Sequence, residues 1–345
     1  MEDFIMPTFL FSTPSQIHPC AEALQAHAIV WVQEFRLVQK PAALRRFQEM
    51  HFSWLIARAH PTVQVENMKL LNDWLMWMFL LDDQFDEGTI GRSPERVPAV
   101  MAELRSIVQD EQPRFSPGPM TLALVNLWQR TRNTGSPSWR RRLLHHLFDY
   151  FDAYVRETQN RAAQGIPDIP TYIRTRQASG AMLFAFDFIE DVEQLAISDE
   201  VYALPAFQQV LEAANNLVCW INDIFSFPKE YARGDVNNLV MVVQQAHNLS
   251  LQEAVDMVGT MISDELQHFR DAAALIPATS PTSPTSPTSP TSPTSPKVDM
   301  ALQIYVDRLQ AWVRGIYDWS SETLRYTKIE QVTPGQSLSY LENIL

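Results

Sequence analysis

Two runs of oxygen-bearing side chains stand far apart in the chain, and each would fall on one face of a helix. The first, Asp82-Asp83-Gln84-Phe85-Asp86-Glu87, closes the apolar run from Trp74 to Leu81. The second is Asn222-Asp223-Ile224-Phe225-Ser226-Phe227-Pro228-Lys229-Glu230. Asn222, Ser226 and Glu230 recur at i, i+4 and i+8, which stacks an amide oxygen, a hydroxyl and a carboxylate along one helical stripe. Hard oxygen donors of this kind suit Mg²⁺ rather than zinc. Lys229 places a cation among them. Oxygen ligands beside a cation suit a phosphate-bearing anion clamped through metal ions. The formal net charge of −13 points the same way, because an acidic protein must bring in cations to hold a diphosphate. It also argues against nucleic acid as a partner.

The elements that must position these residues read as helices. Apolar periodicity near 3.6 runs through 21–38, 63–81, 140–158, 251–275 and 298–326. Prolines such as Pro41, Pro61, Pro137, Pro170 and Pro205 punctuate between such runs. Strand signals are few. No G-x-G-x-x-G or Walker A loop is present, so phosphate would not be held by a glycine-rich loop. The expected fold is all-α, one domain over 1–345, with helices around a central apolar cavity. An apolar fraction of 46% and nine Trp can build such a core. Residues 279–296 are six tandem Thr-Ser-Pro units. Proline at every third position bars a helix, and the segment is expected to be a disordered outward loop before the last long helix. Two cysteines form no disulfide framework. The acidic start lacks a secretory n-region, and the longest apolar run is far too short to span a membrane. A cytoplasmic monomer or homodimer is expected.

The motifs resemble those of class I terpene synthases, the terpene cyclases, and of their microbial sesquiterpene type. That family carries an aspartate-rich DDxxD/E motif, matched by Asp82 to Glu87. It carries a second NDxxSxxKE motif, matched at Asn222, Asp223, Ser226, Lys229 and Glu230. Arg176 lies 46 residues before Asn222, where the family has its diphosphate-sensing arginine, and Arg325-Tyr326 matches its RY pair. The match covers roughly 55–326.

The resemblance implies ionisation and cyclisation of a linear isoprenoid diphosphate, with farnesyl diphosphate going to a sesquiterpene. Geranyl or geranylgeranyl diphosphate would use the same head-group motifs. It implies three Mg²⁺ ions, for which Mn²⁺ can substitute, held by Asp82, Asp86, Glu87, Asn222, Ser226 and Glu230. Arg176, Lys229, Arg325 and Tyr326 would hold the diphosphate. Ser179-Gly180 matches the helix break that couples diphosphate sensing to ionisation, and glycine there would permit unusual backbone angles. A carbocation needs a dry cavity with aromatic faces. Phe79, Phe184, Phe186, Phe188, Trp312 and Trp319 are the candidate walls. Met76 and Met78 read as ordinary helix-face packing, and the run from Arg140 to Arg142 with His145-His146 as a solvated face. A chain-elongating prenyltransferase would carry a second aspartate-rich motif where Asn222 to Glu230 stands. A class II cyclase would carry D-x-D-D, which is absent. An inactive helical binding protein is the rival outside enzymes, and the intact metal motifs argue against it.

Overall fold

The computed structural model describes residues 4–88, 90–110, 117–276, 296–327 and 344–345. The described residues form helices and connections, with no strand. In chain order the helices are α1 (Ala21–Glu34), α2 (Pro41–Met50), α3 (Phe52–Ala59), α4 (Val65–Asp86), α5 (Val97–Asp110), α6 (Pro119–Thr131) and α7 (Pro137–Ala163). They continue with α8 (Ile169–Ser179), α9 (Met182–Val192), α10 (Asp199–Tyr202), α11 (Pro205–Ala232), α12 (Leu239–His247), α13 (Leu251–Ala274) and α14 (Pro296–Glu322).

Local chemistry sets the ends. Proline occupies the first or second position of α2, α6, α7, α8 and α11, where its missing N–H has no intrahelical partner to lose. Ser136 and Asp168 cap α7 and α8 by accepting from the amides of Trp139 and Thr171. Ser250 and Glu253 form a reciprocal capping box at the start of α13.

Two boundaries matter for the site. The helix expected over 63–81 continues to Asp86, so the first motif forms the last turn and a half of α4. The last long helix stops at Glu322 rather than 326, and Arg325-Tyr326 lie in the turn that follows. Thr323 makes that turn: its hydroxyl donates to the Met50 carbonyl and accepts from the Arg325 amide.

The interior is aromatic. Trp74, Trp77, Trp139, Trp312 and Trp319 are fully buried. Four of these indoles donate to Thr131, Met120, Asp187 and Met50, so their polar edges are satisfied inside the core. Arg142 and His146 correct the expectation of a solvated face. His146 bonds Asp187 at 2.6 Å, and Arg142 pairs with Glu190, inside a largely buried cluster between α7 and α9. The aspartate that α9 buries needs these partners. No helix among the described residues is long and apolar enough to cross a membrane. The expected loop at 279–296 lies outside the described residues, apart from Pro296, where α14 begins.

Candidate active site

One cavity gathers residues from α3, α4, α7, α8, α9, α11 and α14. Its floor and walls are apolar: Leu55, Leu75, Met78, Phe79, Val218, Trp312 and Ile316. Its rim is charged: Asp82, Arg176, Asn222, Ser226, Lys229, Glu230, Arg325 and Tyr326. Helical periodicity produces this division. Leu75, Phe79 and Asp82 share one face of α4, and Val218, Asn222, Ser226 and Glu230 share one face of α11, so along each helix the cavity wall passes from apolar to charged.

The second motif is tightly tied. Asn222 accepts from Arg176 Nη2 at 2.7 Å and donates to the Tyr326 hydroxyl at 2.7 Å. Glu230 accepts from Asn238 at 2.8 Å. Among the described residues the Ser226 hydroxyl has only a 3.5 Å contact, to the Asp223 carbonyl. Asp223 is an anchor: its carboxylate accepts from Tyr172, from Arg176 Nε at 2.9 Å and from the Leu239 amide. Pro228 sits inside α11 and withdraws one helical N–H within the motif. Arg176 stays charged well above its ordinary range. Burial opposes this, but Asp223 outweighs it.

The first motif divides. Asp82 reaches the cavity with its side chain 37% exposed; Arg325 Nη2 bonds one oxygen at 2.9 Å and the Tyr154 hydroxyl the other at 3.0 Å. Asp86 and Glu87, expected as metal ligands, are not among the residues that line the cavity. Asp86 is bonded by Arg161 at 2.9 Å. Glu87 pairs with Lys229 at 3.4 Å and Arg233 at 2.5 Å. Although burial pushes the Glu87 carboxyl up, Lys229 and Arg233 hold it far below the carboxylate range. Lys229 thus faces the first motif as well as the cavity.

A divalent cation fits the Asn222, Ser226, Glu230 and Asp82 donors. They are hard oxygens on facing helices. Burial, with Asp223 and Asp235 nearby, pushes the Glu230 carboxyl up to about 7, a strain that a bound dication would relieve. No group of three His, Cys, Asp or Glu among the described residues is placed to hold an ion, because amide and hydroxyl supply two of the second-motif donors and protein cations hold Asp86 and Glu87.

The break between α8 and α9 holds a further correction. Gly180 has ordinary right-handed angles (φ −68°, ψ −11°), and Ala181 takes the left-handed ones (φ 56°, ψ 14°). Glycine is required here for space. A Cβ at 180 would lie 2.4 Å from Cys219 Sγ and 3.1 Å from the Arg176 carbonyl. Ser179 and Gly180 both line the cavity.

Among the aromatics, Phe79 and Trp312 line the cavity. Phe184 does not: it is fully buried against Trp74 and Phe188, with ring centroids 5.0 and 5.4 Å away. Phe186 and Phe188 are likewise core residues. All three lie on α9, whose first turn alone reaches the cavity. Trp319 stands behind the wall, 5.6 Å from Phe79, with its indole donating to the Met50 and His51 carbonyls. Met78 lines the cavity rather than merely packing a helix face, whereas Met76 is buried away from it. Sequence reasoning missed Tyr150 and Tyr154, which line the cavity from α7, and Arg161, which bonds Asp86 and Asp235 together. The i, i+4 tyrosines were visible as a helical pair; nothing local marked Arg161.

Residues 73–268 match the family model described as terpene synthase family 2, C-terminal metal binding. The chain is 32% identical over 310 residues to a (+)-T-muurolol synthase, (2E,6E)-farnesyl diphosphate cyclizing, of Roseiflexus castenholzii, covering 90% of both chains. It is 28% identical to a germacrene A synthase of Nostoc punctiforme, covering 96% of this chain and 98% of the relative. Its fold matches the crystal structure of germacradien-4-ol synthase from Streptomyces citricolor with a TM-score of 0.77 at 24% identity, over 92% of this chain and 98% of that one. On the length of these matches and on the two motifs that meet in its cavity, the chain belongs to the terpene synthase family.

Proposed function

We propose that this enzyme ionises farnesyl diphosphate and cyclises it to a sesquiterpene, releasing diphosphate, with Mg²⁺ as cofactor. The observation that carries the reading is the cavity itself, in which an apolar floor meets a rim of oxygen ligands and cations. The relative named as cyclizing (2E,6E)-farnesyl diphosphate supports farnesyl as the chain length. Two free cysteines, one of them buried, support a reducing, cytoplasmic setting.

Asp82, Asn222, Ser226 and Glu230 would hold the metal. When bound, Mg²⁺ supplies Lewis acidity to the leaving oxygens. Arg176, Lys229, Arg325 and the Tyr326 hydroxyl stand on the same rim and would donate to the departing diphosphate, on which charge grows as the C–O bond breaks. Arg176 is held at 2.7 Å from Asn222, so its guanidinium is positioned beside the second motif before substrate arrives. Through Ser179 and Gly180, α8 carries that position to the cavity wall. Leu55, Leu75, Val218 and Ile316 exclude water from the cation, and the faces of Phe79 and Trp312 stabilise it.

The test compares geranyl, farnesyl and geranylgeranyl diphosphate by diphosphate release in Mg²⁺ buffer. We expect farnesyl diphosphate to give the highest kcat/KM and a cyclic product. A higher kcat/KM for either other chain length would overturn the substrate assignment.

A further inference from the structure

Tyr150 and Tyr154 stand one turn apart on α7, and both line the cavity. Their rings meet edge to face with centroids 4.9 Å apart, and each residue is buried. The two hydroxyls lie 3.1 Å apart, and the Tyr154 hydroxyl donates to Asp82 Oδ1 at 3.0 Å. A phenol has one proton. Tyr154 spends its proton on Asp82, so it must accept at the contact with Tyr150, and Tyr150 must donate there. No other group among the described residues bonds the Tyr150 oxygen. It is left with lone-pair density and no proton to offer, at the end of two O–H dipoles aligned head to tail toward Asp82. Such alignment strengthens both bonds.

The apolar part of the cavity that Tyr150 lines is built from Leu55, Leu75, Met78, Phe79, Val218, Trp312 and Ile316. A carbocation moving through the cavity meets ring quadrupoles at Phe79 and Trp312, which favour positive charge over a broad area. A fixed oxygen dipole in a low-dielectric cavity acts at one point. We propose that Tyr150 is a specificity-determining residue, whose acceptor-only oxygen fixes where positive charge rests before the last cation is quenched. The inference rests on the cyclase reading above. It assigns Tyr154 as a positioning residue that holds the Tyr150 proton away from the cavity.

Tyr150→Phe deletes one oxygen and keeps the ring, its quadrupole and its shape. Tyr154→Phe keeps the Tyr150 oxygen but releases its proton to turn toward the cavity. Products of both variants and of the wild type are counted by gas chromatography per diphosphate released, so that a slower enzyme still reports its partition. We expect the ratio of the principal product to its isomers to change about tenfold in Tyr150→Phe, equivalent to ~1.4 kcal/mol between competing cation positions, and to change in Tyr154→Phe as well. A wild-type ratio in either variant overturns the proposal. A wild type that releases diphosphate without any cyclic product overturns the cyclase reading instead, and the two failures are thereby distinct.

Discussion

Arg161→Met would break the tie between the first metal motif and Asp235, which follows α11. Arg161 Nε bonds Asp235 at 2.7 Å, Nη2 bonds Asp86 at 2.9 Å, and Glu157 lies 3.6 Å away. The guanidinium side chain is 4% exposed and none of the three acids more than 11%. Removing one partner of a buried pair leaves an uncompensated charge and costs about 3–5 kcal/mol. Burial already pushes the Asp86 and Glu157 carboxyls up, so these two protonate readily when Arg161 is gone. Asp235 differs. Burial pushes its carboxyl up, but Arg161 and the Asn237 amide outweigh this and hold it below the ordinary value. A carboxyl lowered in the folded state stabilises it above the unfolded pKa of about 3.9, and that stability disappears as pH falls through the folded pKa. The variant lacks this contribution at every pH above about 4; over that range its deficit should still be widest near neutral pH and shrink on acidification, because the Asp86 and Glu157 carboxyls, freed of Arg161, take up protons. At roughly 2 °C per kcal/mol, Tm should fall by about 6–10 °C near neutral pH. Circular-dichroism melts across this range check both points. A drop under about 2 °C at neutral pH, or a deficit that grows on acidification, would refute the reasoning.

Trp312→Phe should change product identity by gas chromatography while turnover is retained, whereas Phe184→Leu should lower stability by about 1–3 kcal/mol and leave the product ratio alone; the reverse pattern would exchange wall and core. Gly180→Ala should cost about 1–3 kcal/mol through overpacking against Cys219, and Cys219→Ala in the same chain should restore much of it in a denaturant melt; no rescue would place the clash on the Arg176 carbonyl. Asn222→Ala and Glu230→Ala should each lower turnover by orders of magnitude with the helical circular dichroism intact; near-normal turnover in both would remove the second motif from the site. Deleting residues 279–296 behind a short Gly-Ser linker should leave Tm and turnover near the full chain, because loop-closure entropy changes slowly with length; a large loss of turnover at unchanged Tm would give the repeat a part in catalysis.

The helices were legible because their apolar stripes and opening prolines are local signals. The second motif was legible because three oxygen residues at fixed helical spacing have few other readings. The roles of Asp86 and Glu87 were not, since spacing places them on the helix but not against Arg161, Lys229 and Arg233, which arrive from later in the chain. For the same reason Phe184 resembled a wall: proximity to Arg176 in sequence carries no information about which face of α9 meets the cavity. Gly180 was noticed for its backbone freedom, while its real constraint is the Cys219 sulfur, visible only once α8 and α11 pack. Arg142 and His146 looked exposed because the buried Asp187 that binds them lies more than forty residues away.

Product analysis with and without metal addresses the assigned activity most directly. The purified chain is incubated with farnesyl diphosphate in Mg²⁺ buffer and in EDTA, with volatiles identified by mass spectrometry and diphosphate counted in parallel. A cyclic sesquiterpene and diphosphate should form together in Mg²⁺, and both should vanish in EDTA. Absence of any cyclic product in Mg²⁺, or full turnover in the chelated buffer, would contradict the assignment.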